Sequence, residues 1–252
     1  MSNWQRVDEE LAKWDEKLPP ARLWLRDDDA VEATSSLMQL IQLTEQFDVP
    51  VTLAVIPCSA TQALAKRVAE TSHVSIALHG YAHCNHAPGD QKKCELGLHR
   101  GKQVVLDELA DGRAKLEQMF GTRFINMLVP PWNRIDPHLV SDLSNTGLAS
   151  LSTFGWSDFP DSSGLLQLNT HVDIIDWRGT RGGRPVKDLA DELANAFANA
   201  RQLGGKPVGI LSHHLVHDET AWKFLRQLFD FSSQHRQIKW CHAASLSGFS
   251  TG

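Results

Sequence analysis

The chain has 252 residues, 42% of them hydrophobic and 22% charged, with a formal net charge of -5. That size and composition can bury a full core without disulfides and fit one domain over residues 1–252, which excludes a disordered segment or a small cystine-stapled scaffold. No long run of either charge gives the footprint of a nucleic-acid or anionic-membrane binder, so the partner expected is a small-molecule or oligosaccharide substrate.

The N-terminal stretch places Trp4, Val7, Leu11, Trp14 and Leu18 on one helical face before Pro19-Pro20 ends the pattern, which predicts a leading helix within residues 1–20. It lacks a basic stretch followed by an apolar core, and no later apolar run approaches the roughly 20 residues of a membrane span. Cys58, Cys84, Cys94 and Cys241 are scattered with no CxxC pair. Together these features suggest a cytoplasmic protein.

From Arg22 onward short apolar, β-branched runs alternate with helical periodicity. Strands are expected at Arg22–Arg26, Val51–Ile56, Val74–Leu78, Phe124–Val129, Leu148–Phe154, Val172–Asp176, Val208–Ser212 and Ile238–Cys241. Helical stripes lie between them, formed by Leu37, Leu40, Ile41 and Phe47, by Leu189, Leu193, Phe197, Ala200 and Leu203, and by Trp222, Leu225 and Phe229. Such alternation predicts parallel strands joined by crossover helices, in a closed or nearly closed (β/α) barrel or an open doubly wound sheet. The stretch Trp177 to Val186, with its GTRGGR core, reads as a loop.

Chemically reactive residues cluster at the C-terminal ends of these strands, where loops of β/α folds converge on one rim. Asp27, Asp28 and Asp29 follow the first strand. Three adjacent carboxylates repel one another unless a cation offsets them, and a helix N-cap near Ala30 would use only one. After the third strand His79 and His83 stand four apart, with His86 three further on. At that spacing two imidazoles share one face of a helical turn, and with one carboxylate they make the open ligand set of a catalytic divalent ion such as zinc. The fourth strand runs into Pro130-Pro131-Trp132-Asn133-Arg134, a stiff turn that presents a large ring to wall a pocket or close the barrel end. Asp173, Asp176 and Trp177 lie at another strand end, and Trp156 and Asp158 between the two. The last cluster is Leu211-Ser212-His213-His214, with His217 four beyond His213; a histidine near the metal suits a general acid, and this spacing leaves a further metal ligand open.

In this order the clusters resemble the five motifs of the polysaccharide deacetylase family, the carbohydrate esterases that share the NodB homology domain. Arg26-Asp27-Asp28-Asp29-Ala30 looks like the family's Thr-Phe-Asp-Asp-Gly, and His79-Gly80-Tyr81-Ala82-His83 like His-(Ser/Thr)-x-x-His. Val129-Pro130-Pro131-Trp132 is similar to Arg-x-Pro-Tyr, Asp173 to Trp177 to Asp-x-x-Asp-Trp, and Leu211-Ser212-His213 to Leu-x-His. The resemblance implies a distorted (β/α) barrel of seven or so strands and a metal held by Asp29, His79 and His83. It implies Asp28 as catalytic base and His213 as acid, with Asp176 or Asp173 orienting the imidazole. Trp132, Pro131, Trp177 and Leu211 would contact substrate.

The motif arginine that holds the base is replaced here by Val129, so Arg134, Arg26 or Arg100 must take its task. Arg134 is the first choice because it lies on the same loop. The activity implied is hydrolysis of an N-acyl or O-acyl group, with removal of acetyl from an amino sugar or polysaccharide-like substrate as the leading expectation. Hydrolysis of a non-sugar amide and silent carbohydrate binding are the rival readings.

Overall fold

The computed structural model describes residues 3–159 and 164–246, so both ends of the 1–252 domain expectation lie outside the described residues. Among the described residues nine strands, β1 (Ala21–Ala30), β2 (Val51–Val55), β3 (Val74–His79), β4 (Phe124–Val129), β5 (Ser150–Leu151), β6 (Leu166–Gln167), β7 (Val172–Asp173), β8 (Val208–Ser212) and β9 (Ile238–Trp240), form one sheet with every pairing parallel. The order is β6-β5-β4-β3-β2-β1-β8-β7, with β9 on the start of β1.

The two ends of that path, β6 and β7, are consecutive in the chain. Backbone bonds from Leu168 and Thr170 to Leu151 and Thr153 on one side, and from His171 and Ile174 to Gly209 and Leu211 on the other, make residues 166–174 a single interrupted strand. It pairs with β5 first and β8 afterwards, and so closes the sheet into a distorted (β/α) barrel. Counted in this way the barrel has seven strands, with β9 outside the ring. Sequence periodicity missed β6, because two residues carry no alternation to read.

Helices α1 (Gln5–Leu11), α2 (Ser35–Gln46), α3 (Gln62–Ala69), α4 (Lys102–Phe120), α5 (Pro137–Val140), α6 (Val186–Gln202), α7 (Glu219–Ser233) and α8 (Ala243–Leu246) connect the strands. Thr34, Thr61 and Asp218 cap α2, α3 and α7 by accepting from the backbone N–H of Leu37, Leu64 and Ala221. The cap of α2 is therefore Thr34 and none of the three aspartates. The leading helix is shorter than expected: α1 ends at Leu11, and Trp14 is held in a turn by donating to Pro19 O. Its apolar face packs on α6 and α7, where Trp14 meets Phe197 edge-on and Trp4 stacks on Phe231.

Strand alternation sorts the core into two clusters. Leu23, Leu25, Leu53, Val55, Ile76 and Leu78 face the helices in the larger one. Trp24, Ala54, Ala77, Met127 and Val129 fill the barrel interior. Small residues there leave room for Trp24, whose indole N–H donates to Asn169 O. The interior parity runs on from Trp24 to Arg26 and Asp28, and from Ala77 to His79, so the strands deliver those side chains to one end of the barrel.

Candidate active site

The first strand is longer than its composition predicts. Aspartate is poor in strands, yet β1 continues through Asp27, Asp28 and Asp29, each with a different task. Asp27 has the parity of Leu25 and turns away from the interior. Its carboxylate accepts from Ser212 Oγ at 2.6 Å, from the backbone N–H of His214 at 2.9 Å, and pairs with His214 Nδ1. Burial pushes the Asp27 carboxyl up but His214 outweighs it and holds it low, while His214 is raised in return by Asp27 against its own burial. This buried ion pair accounts for His214, which belongs to the framework rather than to a metal.

Asp28 has interior parity and is nearly fully buried. Its partner is Arg26, two residues back on the same face of β1. Arg26 donates from Nη2 to Asp28 Oδ2 at 3.0 Å, and its Nε lies 2.9 Å from Oδ1 at an angle that makes this an ion contact rather than a second hydrogen bond. The guanidinium is 0% exposed. It also donates to Asn133 Oδ1 at 2.7 Å and Ser152 Oγ at 2.7 Å. Arg134, expected in this role, instead donates to Lys93 O on the cavity wall, and Arg100 pairs with Glu108. The Val129 substitution is thus answered from within the strand.

At Asp29 the chain takes a positive φ of 72°, and the β1–β2 register shifts between Asp27 and Ala30. This bulge re-aims Asp29 toward the end of β3. There His79 Nδ1–H donates to Val129 O at 2.9 Å, which leaves Nε2 as a lone-pair donor 3.1 Å from Asp29 Oδ1. His83 Nε2 lies 3.3 Å from the same oxygen. Two lone pairs at that distance repel unless a cation lies between them, either a proton or a metal ion. The ligand atoms of Asp29, His79 and His83 all fall within 4.8 Å of one another, and the backbone bond that orients His79 is typical of ligating histidines. The donor set fits a divalent ion.

The charges agree with that fit. Burial pushes Asp29 up, but the His79 hydrogen bond and the neighbouring imidazoles hold it well below the usual carboxylate range. Burial lowers His79, and the adjoining carboxylates more than restore it. Burial and His79 hold His83 low.

The helical turn expected from His79 to His83 is absent. His79 closes β3, and a loop follows with positive φ at Gly80 (57°) and His83 (56°). Glu95 organises this loop by accepting from the backbone N–H of Tyr81, Ala82 and Cys84. A Cβ on Gly80 would collide with Glu95 Oε2 and come within 2.6 Å of Pro131 Cγ. Gly80 therefore stands where the family motif has a hydroxyl residue because Glu95 fills that space. Nothing in the local sequence marked Glu95.

His213 follows β8 with its Nε2 3.9 Å from Asp28 Oδ2, and its ring packs edge-on to Trp177 at 4.7 Å. Asp173 lies in the same cavity; burial raises its carboxyl, which accepts from the Trp177 indole N–H at 2.9 Å and the Ile175 N–H. Asp176 is elsewhere: it accepts from the backbone N–H of Gly179 and Thr180 and shapes the following loop. No carboxylate among the described residues accepts from His213 Nδ1.

A cavity of about 630 Å³ unites Asp28, Asp29, His79, His83, His213 and Asp173 with Trp132, Trp177, Asn133, Phe154, Lys93, Arg134, Arg178 and Arg181. Trp132 has a φ of 54° and packs at a tilt of 57° against the His83 ring, centroids 4.4 Å apart. Pro131 and Leu211 are buried and do not line the cavity. His86 and His217 stand outside the three-ligand cluster; His217 packs on Trp222. Trp156 stacks on His171 away from the cavity.

No family model and no curated protein sequence matches the chain. Solved structures do. A proposed polysaccharide deacetylase from Mycobacterium smegmatis is 16% identical over 92% of this chain and 91% of its own, with a TM-score of 0.71. A family 4 acetyl xylan esterase from Clostridium thermocellum, in complex with a cobalt ion, is 14% identical over 91% and 93%, at 0.58. A peptidoglycan deacetylase from Bacillus subtilis is 15% identical over 90% of each chain, also at 0.58. At these identities the likeness speaks for architecture, and it covers nearly the whole chain. The chain has the fold of the polysaccharide deacetylases, the NodB-like (β/α) barrel.

Proposed function

We propose that the chain is a divergent polysaccharide deacetylase, a metal-dependent hydrolase that removes an acetyl group from an amino sugar. The observation that carries this reading is the convergence of Asp29, His79 and His83 beside Asp28 and His213 in one cavity. A divalent ion such as zinc, held by those three side chains with coordination positions left open, would acidify a water and polarise an acyl carbonyl.

The chain's own residues supply the rest. Asp28 is the acceptor for the proton of the attacking water; Arg26 fixes the direction of its carboxylate. His213, across from Asp28, is the donor to the departing nitrogen, which would otherwise leave as a poor anionic group. Trp177 packs on the His213 ring and restricts its rotation. Trp132 and Trp177 offer faces on which a sugar ring can lie. The Arg26 guanidinium on Asp28 supports the catalytic reading over silent carbohydrate binding. Hydrolysis of a non-sugar amide uses the same groups, and substrate profiling separates the two.

Among the described residues no helix is long and apolar enough to cross a membrane, and all four cysteines are free. The free thiols fit the cytoplasmic location expected from the sequence.

The test is metal analysis of protein purified without chelator, followed by an acetate-release screen on N-acetylated sugars. One divalent ion per chain is expected, and His83→Ala should lose it while keeping a parental circular dichroism spectrum. Full metal occupancy in that variant would defeat the ligand assignment.

A further inference from the structure

The walls of the cavity differ in charge from its floor. Lys93, Arg134, Arg178 and Arg181 line it toward solvent, from two separate parts of the barrel rim. None of the four makes an ion pair with a carboxylate among the described residues, although the chain as a whole is acidic. The carboxylates that share the cavity are engaged below: Asp28 with Arg26, Asp29 with the two imidazoles, and Asp173 with the Trp177 indole. Four unpaired cations facing one cavity repel each other, which costs stability unless an anion arrives.

Two of them are held by construction rather than by chance exposure. Residues 177–185 are pinned as a closed turn. Asp176 accepts from Gly179 and Thr180, its backbone N–H donates to Gly182 O, and Arg181 N–H donates back to Asp176 O. Gly183 N–H donates to Asp218, the cap of α7. A side chain at Gly182 would collide with that same Asp218 carboxylate, and one at Gly179 with Asp176. Arg181 itself takes a positive φ of 60°, a conformation that costs energy in a non-glycine residue. This small framework presents Arg178 and Arg181 at the cavity beside Trp177. Across from them Lys93 lies over the Trp132 ring at 5.9 Å, and Arg134 is anchored on Lys93 O.

Resting on the acyl-sugar reading above, we infer that the substrate is anionic: an N-acylated sugar bearing a carboxylate or phosphate, whose ring lies between Trp132 and Trp177 while its charge meets this basic rim. The rim also gives Asp176 its task, since the carboxylate that the motif resemblance linked to His213 is the organiser of the arginine-bearing turn.

The experiment uses the full-length protein loaded with zinc. Binding is followed by quenching of tryptophan fluorescence, and turnover by acetate release. The probes are N-acetylmuramic acid for a carboxylate, N-acetylglucosamine 6-phosphate for a phosphate, and N-acetylglucosamine as the neutral control. At low salt at least one anionic probe is expected to bind about tenfold or more tightly than the control. That preference should shrink several-fold when ionic strength rises from about 0.05 to 0.5 M, as rim charges are screened. Arg178→Gln with Arg181→Gln, both exposed positions, should reduce the preference about tenfold, and Lys93→Gln on the opposite wall should reduce it by a smaller factor.

Equal affinity for the neutral and both anionic sugars overturns the inference, as does no binding of either anion or a preference untouched in both variants. The two readings fail separately. Acetate release from the neutral sugar without anionic preference removes the rim proposal and leaves the hydrolase. Salt-sensitive anion binding without acetate release keeps the rim and removes the hydrolase.

Discussion

Arg26→Met is the substitution that most directly tests how the site is built. Methionine matches the length and apolar stem of arginine but removes the guanidinium. Asp28, nearly fully buried, loses the one basic partner that hydrogen-bonds to it among the described residues, and Asn133 and Ser152 lose a shared donor. Breaking a buried pair by removing one member typically costs about 3–5 kcal/mol, because the remaining charge stays desolvated without compensation. With a total stability on the order of 5–15 kcal/mol, a loss of about 4 kcal/mol is a large fraction. For a chain of this size it corresponds to a fall in melting temperature of roughly 8–16 °C.

Urea unfolding measures it without reference to activity. The midpoint should fall with an unchanged slope. Arg26→Lys should also be destabilised, since one ammonium cannot reach the carboxylate, Asn133 and Ser152 together. Arg26→Met combined with Asp28→Asn should recover more than half of the loss, because the orphaned charge is then gone. A single Arg26→Met variant within about 1 kcal/mol of the parent, or a double variant with additive losses, would refute the claim that this pair is a tightly coupled buried unit.

With an active substrate in hand, Asp28→Asn should keep stoichiometric metal and lose about 10²- to 10⁴-fold in turnover, as expected for removal of a general base; parental turnover would place the base elsewhere. Gly80→Ser, which restores the family's motif residue, should destabilise by about 2–4 kcal/mol in urea unfolding, because it meets Glu95 and Pro131 in a left-handed backbone conformation. Coupled with Glu95→Ala its cost should be less than additive, and strict additivity would argue that the two do not share one space. Burial holds His171 down to about 4, and its Nδ1 accepts from Gly209 N–H at 3.0 Å, which a second ring proton would oppose. The folded value lies below the unfolded one of about 6.5. The neutral ring's stability is therefore intact above pH 6.5 and lost as pH falls toward 4, by about 1–3 kcal/mol for this partly exposed ring. His171→Asn, which keeps an acceptor near the same place, should flatten the parental pH dependence of the unfolding midpoint; an unchanged slope would refute it.

The barrel and the meeting of Asp29, His79 and His83 were legible because they rest on periodicity and on where polar clusters interrupt it. What failed to read through was local geometry. The first strand seemed to stop at Arg26 because aspartates are poor strand formers, and with the strand cut short the same-face relation of Arg26 and Asp28 vanished. Extending β1 by the alternation rule would have favoured Arg26 over Arg134 at once. His79 and His83 do come together, but a glycine-led loop tied to Glu95, not a helical turn, brings the rings near each other. Asp176 and Asp173 differ by one strand step and a turn, which motif order alone does not resolve. Pro131 and Leu211 stand beside site residues in sequence yet are buried away from the cavity lining.

Asp27 carries a mechanical consequence. Its carboxylate grips Ser212 and His214, the residues on either side of His213, while its own backbone leads directly into Asp28. The two groups proposed to exchange protons with the substrate are thus hung from one hub, one bond-step along each of two neighbouring strands. When the barrel breathes, a sliding of β1 against β8 must stretch three hydrogen bonds at that hub before it can change the gap between Asp28 and His213. Slower deformations of the barrel therefore carry both groups together, as passengers on one rigid yoke, and a substrate would meet the proposed proton acceptor and donor at nearly constant spacing.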